Sequence, residues 1–329
     1  MANDIDFVVL WVDGSDIGWQ TEKGKYIPGY NADDSAVRYR SWDNLQYWFR
    51  GVEKYAPWVR KIHLITPGHF PKWLNKNNEK LNCVNQNDFL KKEFIPVFNS
   101  NAIEINLHRM ESLADKFVLF CDDMFIINKV KETDFFKNDL PRDQAIMNCI
   151  PPTDPFNYID FNNMFIINKY FKKKNILRNN LFKWYNPIYG MLGIKNILML
   201  PWKNFAGMHN PHLPMPYLKK NFQEVWDIES QLLDKASQNR FRSKEDVSHW
   251  LFRYWRIMKG EFYPSQTFGK TLYLSDNAKA NASIYDIIKK QKVQMVCVND
   301  SENIDFDMEK QRLKNALEYI LPEKSNYEI

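Results

Sequence analysis

Three short apolar runs along the chain each stop at acid. Ile5 to Val12 is β-branched and aromatic and breaks at Asp13-Gly14-Ser15-Asp16. Phe117 to Phe120 ends, after Cys121, in Asp122-Asp123. Val293 to Val298 ends in Asn299-Asp300-Ser301. Short runs of this kind between turn signals predict buried strands, so acid stands at three strand exits. Lys61 to Thr66 predicts a further strand, closed by Pro67-Gly68. Between the first strand and this one, Leu45, Trp48, Phe49 and Val52 follow the i, i+3, i+4, i+7 spacing of a half-buried helix. Ser41 or Asp43 would cap it and Pro57 would stop it. The segment between Asp16 and this cap, 17–36, is polar and irregular and reads as a loop. Strand, helix, strand is a βαβ unit, hence a parallel sheet with a right-handed crossover.

A second unit follows. Ile103, Leu107, Met110 and Ala114 predict another helix, with Glu104, His108 and Glu111 on a neighbouring face. Farther on, Val247, Trp250, Leu251, Tyr254 and Met258 form an apolar stripe that ends at Gly260, with Ser243 and Asp246 as a capping box. Leu313, Ala316, Leu317 and Ile320 mark a terminal helix. Met124-Phe-Ile-Ile-Asn-Lys129 recurs as Met164-Phe-Ile-Ile-Asn-Lys169. This match is too short for a duplication and predicts two similar strands. The fold class is therefore α/β, a mostly parallel Rossmann-like sheet flanked by helices. Residues 1–130 are expected to form an α/β core, 131–260 a helical and loop region, and 261–329 a strand and helix completing the core.

The 329 residues contain 44% hydrophobic and 15% aromatic side chains, enough for a sizeable core and against disorder. A net charge of +5 suits anionic substrates and is too small to indicate nucleic acid. Cys83, Cys121, Cys149 and Cys297 show no CxxC spacing and read as reduced thiols of a cytoplasmic protein. No signal peptide or bilayer-spanning stretch is evident. Neither GxxxxGK[ST] nor GxGxxG occurs, so phosphate would be held by metal, arginine or helix ends.

In an open parallel sheet the ligand crevice lies beyond the strands' carboxyl ends, which brings Asp13, Asp16, Asp122 and Asp123 to one edge. Two adjacent carboxylates repel, and a compact site containing both calls for a cation; the alternative is a surface turn. His209-Asn-Pro-His212 lies among prolines. Its imidazoles suit acid–base work, metal binding or a backbone hydrogen bond, and spacing does not choose. Arg240 and Arg242 precede the stripe helix and could make an anion site there, or pair with Glu245 and Asp246.

Taken together these segments resemble the Stealth family. Ile5-Asp-Phe-Val-Val-Leu-Trp-Val-Asp-Gly-Ser-Asp16 is similar to its first motif block. Arg38-Tyr-Arg40 through Asn44-Leu45, Glu53-Lys-Tyr-Ala-Pro-Trp58, Pro71-Lys-Trp-Leu-Asn75 and Ala102-Ile-Glu104 to Asp122-Asp123 resemble the second. His209-Asn-Pro-His212 with Arg240-Phe-Arg-Ser-Lys-Glu-Asp246 resembles the third, and Val296-Cys-Val-Asn-Asp300 the fourth. The resemblance implies a GT-A-like core with a helical acceptor-side insertion. It also implies transfer of hexose-1-phosphate from a UDP-sugar to a glycan hydroxyl, with release of UMP, in capsular or surface polysaccharide synthesis. The alternative is a metal-dependent GT-A-like glycosyltransferase releasing UDP. On this resemblance Asp122, Asp123 and Asp300 would hold Mg²⁺ or Mn²⁺. Glu104, Asp123, His209 and Arg242 would be catalytic, His209 as the base. Trp11, Asp13, Gly14, Asp16, Arg38, Arg40, Asn44 and Arg240 would bind the nucleotide. Cys121 departs from the asparagine common in relatives. The implied partners are a UDP-hexose and a glycan acceptor. A lipid-linked acceptor would bring peripheral membrane contact, although no amphipathic anchor is evident.

Overall fold

A computed structural model of the protein describes residues 4–27, 39–151 and 157–329. Its main sheet contains β1 (Ile5–Leu10), β2 (Ile62–Thr66), β3 (Leu81–Asn85) and β4 (Lys116–Phe120), in the order β3-β2-β1-β4, all parallel. The strand Met215–Leu218 closes the far edge antiparallel to β4. The near-continuous apolar character of β1 and β4 follows from cores on both faces. Ile5, Phe7, Val9, Val118 and Phe120 enter one core with the helices Leu45–Tyr55 and Phe306–Ile320. Val8, Phe117 and Leu119 point the other way, onto the helices Lys219–Ser237 and Trp250–Met258. Alternation with period two thus makes a three-layer α/β sandwich. β5 (Met124–Ile126) leaves the main sheet and pairs antiparallel with Met295–Asn299, which pairs parallel with Gly269–Tyr273.

Four expectations fail locally. The segment after Asp16 is a helix, Ile17–Gly24, because the Asp16 carboxylate caps it by accepting from Trp19 N–H at 2.7 Å. The helix expected around Ile103–Ala114 is broken into Ser100–Glu104 and a short 3₁₀ turn, Leu107–Arg109. Asn106 interrupts it, donating to Ala102 O and Ser237 Oγ, both at 2.8 Å. The helix predicted from Ser243 starts only at Trp250; the Asp246 carboxylate instead closes a turn by accepting from Ser243 N–H at 3.1 Å. Finally, Met124–Ile126 is a strand, whereas Met164–Lys169 lies inside the helix Asn157–Tyr170. The same six residues adopt either form because packing overrides their mixed propensity.

A buried ion cluster ties the acidic end of Leu140–Asp143 to the helix Trp250–Met258. Asp143 accepts from Arg253 Nη2 at 2.8 Å and from Arg256 Nη2, and both arginines are fully buried. Removing the one acid strands two charges in the interior. Asp143→Ala is expected to cost roughly 3–5 kcal/mol of stability, read as a lowered midpoint in urea. An unchanged midpoint would mean that water already compensates these cations. Among the described residues, no helix is long and apolar enough to cross a membrane.

Candidate active site

The carboxyl ends of β1, β2 and β4 open into a cavity of about 690 Å³. Chain order brings its walls from far apart. β4 runs directly into Cys121, Asp122 and Asp123, and the partner strand of β5 runs into Asn299 and Asp300. The short helix Ser100–Glu104 presents Ser100 and Glu104, the loop after Pro211 presents His212, and the turn before Asp246 presents Arg242.

Burial dominates the electrostatics. It raises the Asp122 carboxyl to about 7, helped by the neighbouring charge of Asp123. Asp123 rises to about 6, again mainly by burial, against a hydrogen bond from Cys297 Sγ to its Oδ2 at 3.2 Å. Glu104 is lifted to about 7 by burial, with the Arg242 charge opposing. Three acids held out of water around one cavity are costly to ionise together without a cation.

The donors fit such a cation. Asp123 Oδ1 is buried and has no hydrogen-bond partner. One ligating atom from each of Cys121, Asp123 and His212 lies within 4.8 Å of the others. Burial and the surrounding carboxylates raise the Cys121 thiol well above its ordinary range, so it remains protonated and is the weakest of the three donors. Burial, with Arg242 nearby, lowers His212, which keeps its imidazole neutral and able to ligate. Asp300, expected as a ligand, is otherwise engaged. Its Oδ2 accepts from Arg40 Nε at 2.6 Å and Trp42 Nε1 at 3.0 Å, and its Oδ1 accepts from Arg40 Nη2 and from Ser301 N–H at 2.7 Å.

His209, expected as the base, does not line the cavity; His212 does. The His209 backbone is clamped by Ile146 O and Arg253 Nη1, both at 2.9 Å. Burial, Arg253 and Lys195 push its imidazole down to about 4. His249 was not signalled by the sequence pattern, since it sits at the mouth of an apolar helical stripe. Its Nε2 lies 3.8 Å from Glu104 Oε2 and its Nδ1 is 2.6 Å from the Tyr217 hydroxyl. Burial, with Arg253 and the competing imidazole of His212 nearby, lowers it to about 3, so it is neutral near pH 7.

Of the expected nucleotide residues, Trp11, Arg40 and Asn44 line the cavity. Asn44 starts the helix Leu45–Tyr55 and makes no side-chain cap, and Asn44, Leu45 and Gln46 at that amino end line the cavity. Asp13 and Asp16 do not line it. Asp13 closes a local turn by accepting from Ser15 N–H at 2.9 Å and Ser15 Oγ at 2.6 Å, and Asp16 serves as the helix cap described above. Gly14 has a packing role: a Cβ there would lie 1.7 Å from Tyr39 O. Arg240 stands outside the lining, over the ring of Tyr26 at 4.9 Å. Arg38 lies outside the described residues. Arg242 lines the cavity and donates from Nη2 to Ser100 Oγ at 3.2 Å. It does not mark the start of a helix, which begins eight residues later at Trp250.

Comparison with known proteins gives two family-model matches: Stealth protein conserved region 1 over residues 3–31 and conserved region 2 over residues 38–143. The chain is 45% identical over 330 residues to a capsular polysaccharide phosphotransferase, WcwK, of Streptococcus pneumoniae, covering 98% of each. It is 37% identical to the exopolysaccharide phosphotransferase cps2G of Lactiplantibacillus plantarum, covering 99% of this chain and 96% of that one. Among solved structures, the galactosyltransferase LgtC in complex with donor and acceptor sugar analogues matches with a TM-score of 0.41 at 9% identity, covering 94% of this chain and 95% of that one.

Proposed function

Because this chain belongs to the Stealth family, we propose that it transfers hexose-1-phosphate from a UDP-sugar to a hydroxyl of a growing capsular or surface glycan, releasing UMP. One observation carries the reading. A single cavity brings the Asp122–Asp123 pair, Glu104 and Arg242 to the open amino end of the helix Leu45–Tyr55. That is a wall of positive ends and acids suited to a cation-bound pyrophosphate.

Asp123, with Asp122 and His212, would hold Mg²⁺ or Mn²⁺, which when bound neutralises phosphate charge. The helix start and Arg242 face the same anion. Arg242 stabilises the charge that builds on the transferring phosphoryl group. Arg40 is held in the wall by Asp300, which also accepts from Trp42 Nε1, and orients the nucleotide. Trp11, in the same wall, offers a ring face to the base. The base for the acceptor hydroxyl is Glu104, in place of His209. It lies in the cavity, and its carboxyl titrates near neutrality. It takes the hydroxyl proton as that oxygen bonds the donor's β-phosphorus. The bond from the β-phosphorus to the bridging oxygen breaks, UMP leaves with that oxygen, and the sugar's anomeric C–O bond stays intact.

The test is the nucleotide released. On incubation with UDP-hexoses, Mg²⁺ and acceptor, chromatography is expected to show UMP. Release of UDP would mean attack at the anomeric carbon and a glycosyltransferase. No nucleotide release with any hexose would overturn the reading.

A further inference from the structure

The chain contains no aspartate or glutamate from residue 161 to residue 223, although it has 40 acids in all; that stretch has ten lysines and arginines. The same stretch turns large apolar side chains outward. Phe182 is 86% exposed, Met191 80%, Leu198 65% and Trp202 52%. Met191, Ile194, Ile197 and Leu198 fall at i, i+3, i+6 and i+7 through the short helix Ile194–Leu198, so they share one side. Scattered exposed leucines need no account, but this density within 181–202 does.

The outward side is not a loosely packed core. The segment is pinned from beneath by Trp184 and Asn196, both fully buried. Asn196 donates to Ala145 O at 2.7 Å and Trp184 O at 2.6 Å, and accepts from Met147 N–H at 2.7 Å. Lys172, Lys174, Arg178 and Lys203 are exposed in the flanking chain. Apolar residues flanked by cations, with no acid among them, match the headgroup–acyl boundary of an anionic bilayer. A second copy of the chain would set this basic rim against its own like, which opposes self-association through this face.

We propose that residues 172–203 form the surface by which the protein docks on an anionic membrane. From there Lys195 reaches Asn148 at 3.1 Å, whose backbone pairs with Gly207 just ahead of His212 in the cavity. The docking face is thus joined through a few residues to the segment that carries His212 into the cavity. The docking itself stands independently of which nucleotide is released.

Co-sedimentation tests it without turnover. The full chain is expected to pellet with vesicles of phosphatidylcholine mixed with phosphatidylglycerol, to remain in solution with phosphatidylcholine alone, and to be released by salt. The triple variant Phe182→Ser, Ile197→Ser, Leu198→Ser is expected to lose binding on the order of tenfold or more. Its circular dichroism, and its rate on a water-soluble acceptor, are expected to match the parent. A parent that stays in solution with both vesicle types overturns the proposal, as does a triple variant that pellets like the parent. A dimer that the triple variant splits, without vesicle binding, would assign the face to a second copy.

Discussion

Replacing Asp123 with asparagine is expected to lower turnover by about 10³-fold or more while leaving the fold intact. The carboxylate sits at the exit of β4, with Oδ1 unpartnered and Oδ2 taken by Cys297. Asparagine keeps the shape but removes the negative charge that a cation needs. A second readout separates this loss from simple misfolding. Asp123 has its carboxyl raised to about 6 by burial. A carboxyl whose folded value lies above its unfolded one contributes fully at low pH and loses that contribution as pH rises through the folded value. The metal-free parent is therefore expected to melt below Asp123→Asn at pH 8, with the gap closing near pH 4. Adding Mg²⁺ or Mn²⁺ should raise the parent's melting temperature and leave the variant's nearly unmoved. Equal stabilisation of both by metal would remove Asp123 from the cation site.

How this site was legible in the sequence differs from residue to residue. β1, β4 and the helix Leu45–Tyr55 follow from apolar periodicity, because two-sided burial leaves an unbroken apolar run and one-sided burial leaves a stripe. Acid at the strand exits found Asp122 and Asp123 for the same reason. That signal does not distinguish a ligand from a cap: Asp13 and Asp16 fit it equally and are spent on a turn and a helix start. Nor does it show a partner from the other end of the chain. Asp300 is claimed by Arg40, 260 positions away. His209 and His212 are chemically alike and three residues apart; only the path of the loop decides which reaches the cavity, and His212 takes a left-handed φ of 43° as it does so. The outward apolar face of 181–202 escaped detection because it is spread over short helices with breaks, so no single stretch shows an amphipathic period.

Glu104→Gln is expected to lower kcat by about 10² to 10⁴-fold with little change in the donor's KM, as for loss of a positioned base. Its pH dependence gives the sharper check. Burial lifts the Glu104 carboxyl to about 7 against the opposing charge of Arg242. The base form therefore accumulates as pH rises through about 7, and the parent's kcat/KM is expected to climb over that range. His249 stays neutral there, being held to about 3, and adds no competing step. With Mg²⁺ or Mn²⁺ saturating, Asp122 and Asp123 are held ionised by the cation, so in the glutamine variant this climb should vanish, leaving a low and flat profile across it. Stability moves the other way. The parent's Glu104 holds its proton when folded at pH values where the unfolded chain has lost it, so its contribution falls as pH rises between about 4.5 and 7. The variant has no such slope, so it gains on the parent in melting temperature from pH 5 to pH 8. If the acid limb near 7 persists in Glu104→Gln, the titrating base is another group, and Asp122, which shares the cavity and is raised to about 7 by burial, becomes the residue to replace.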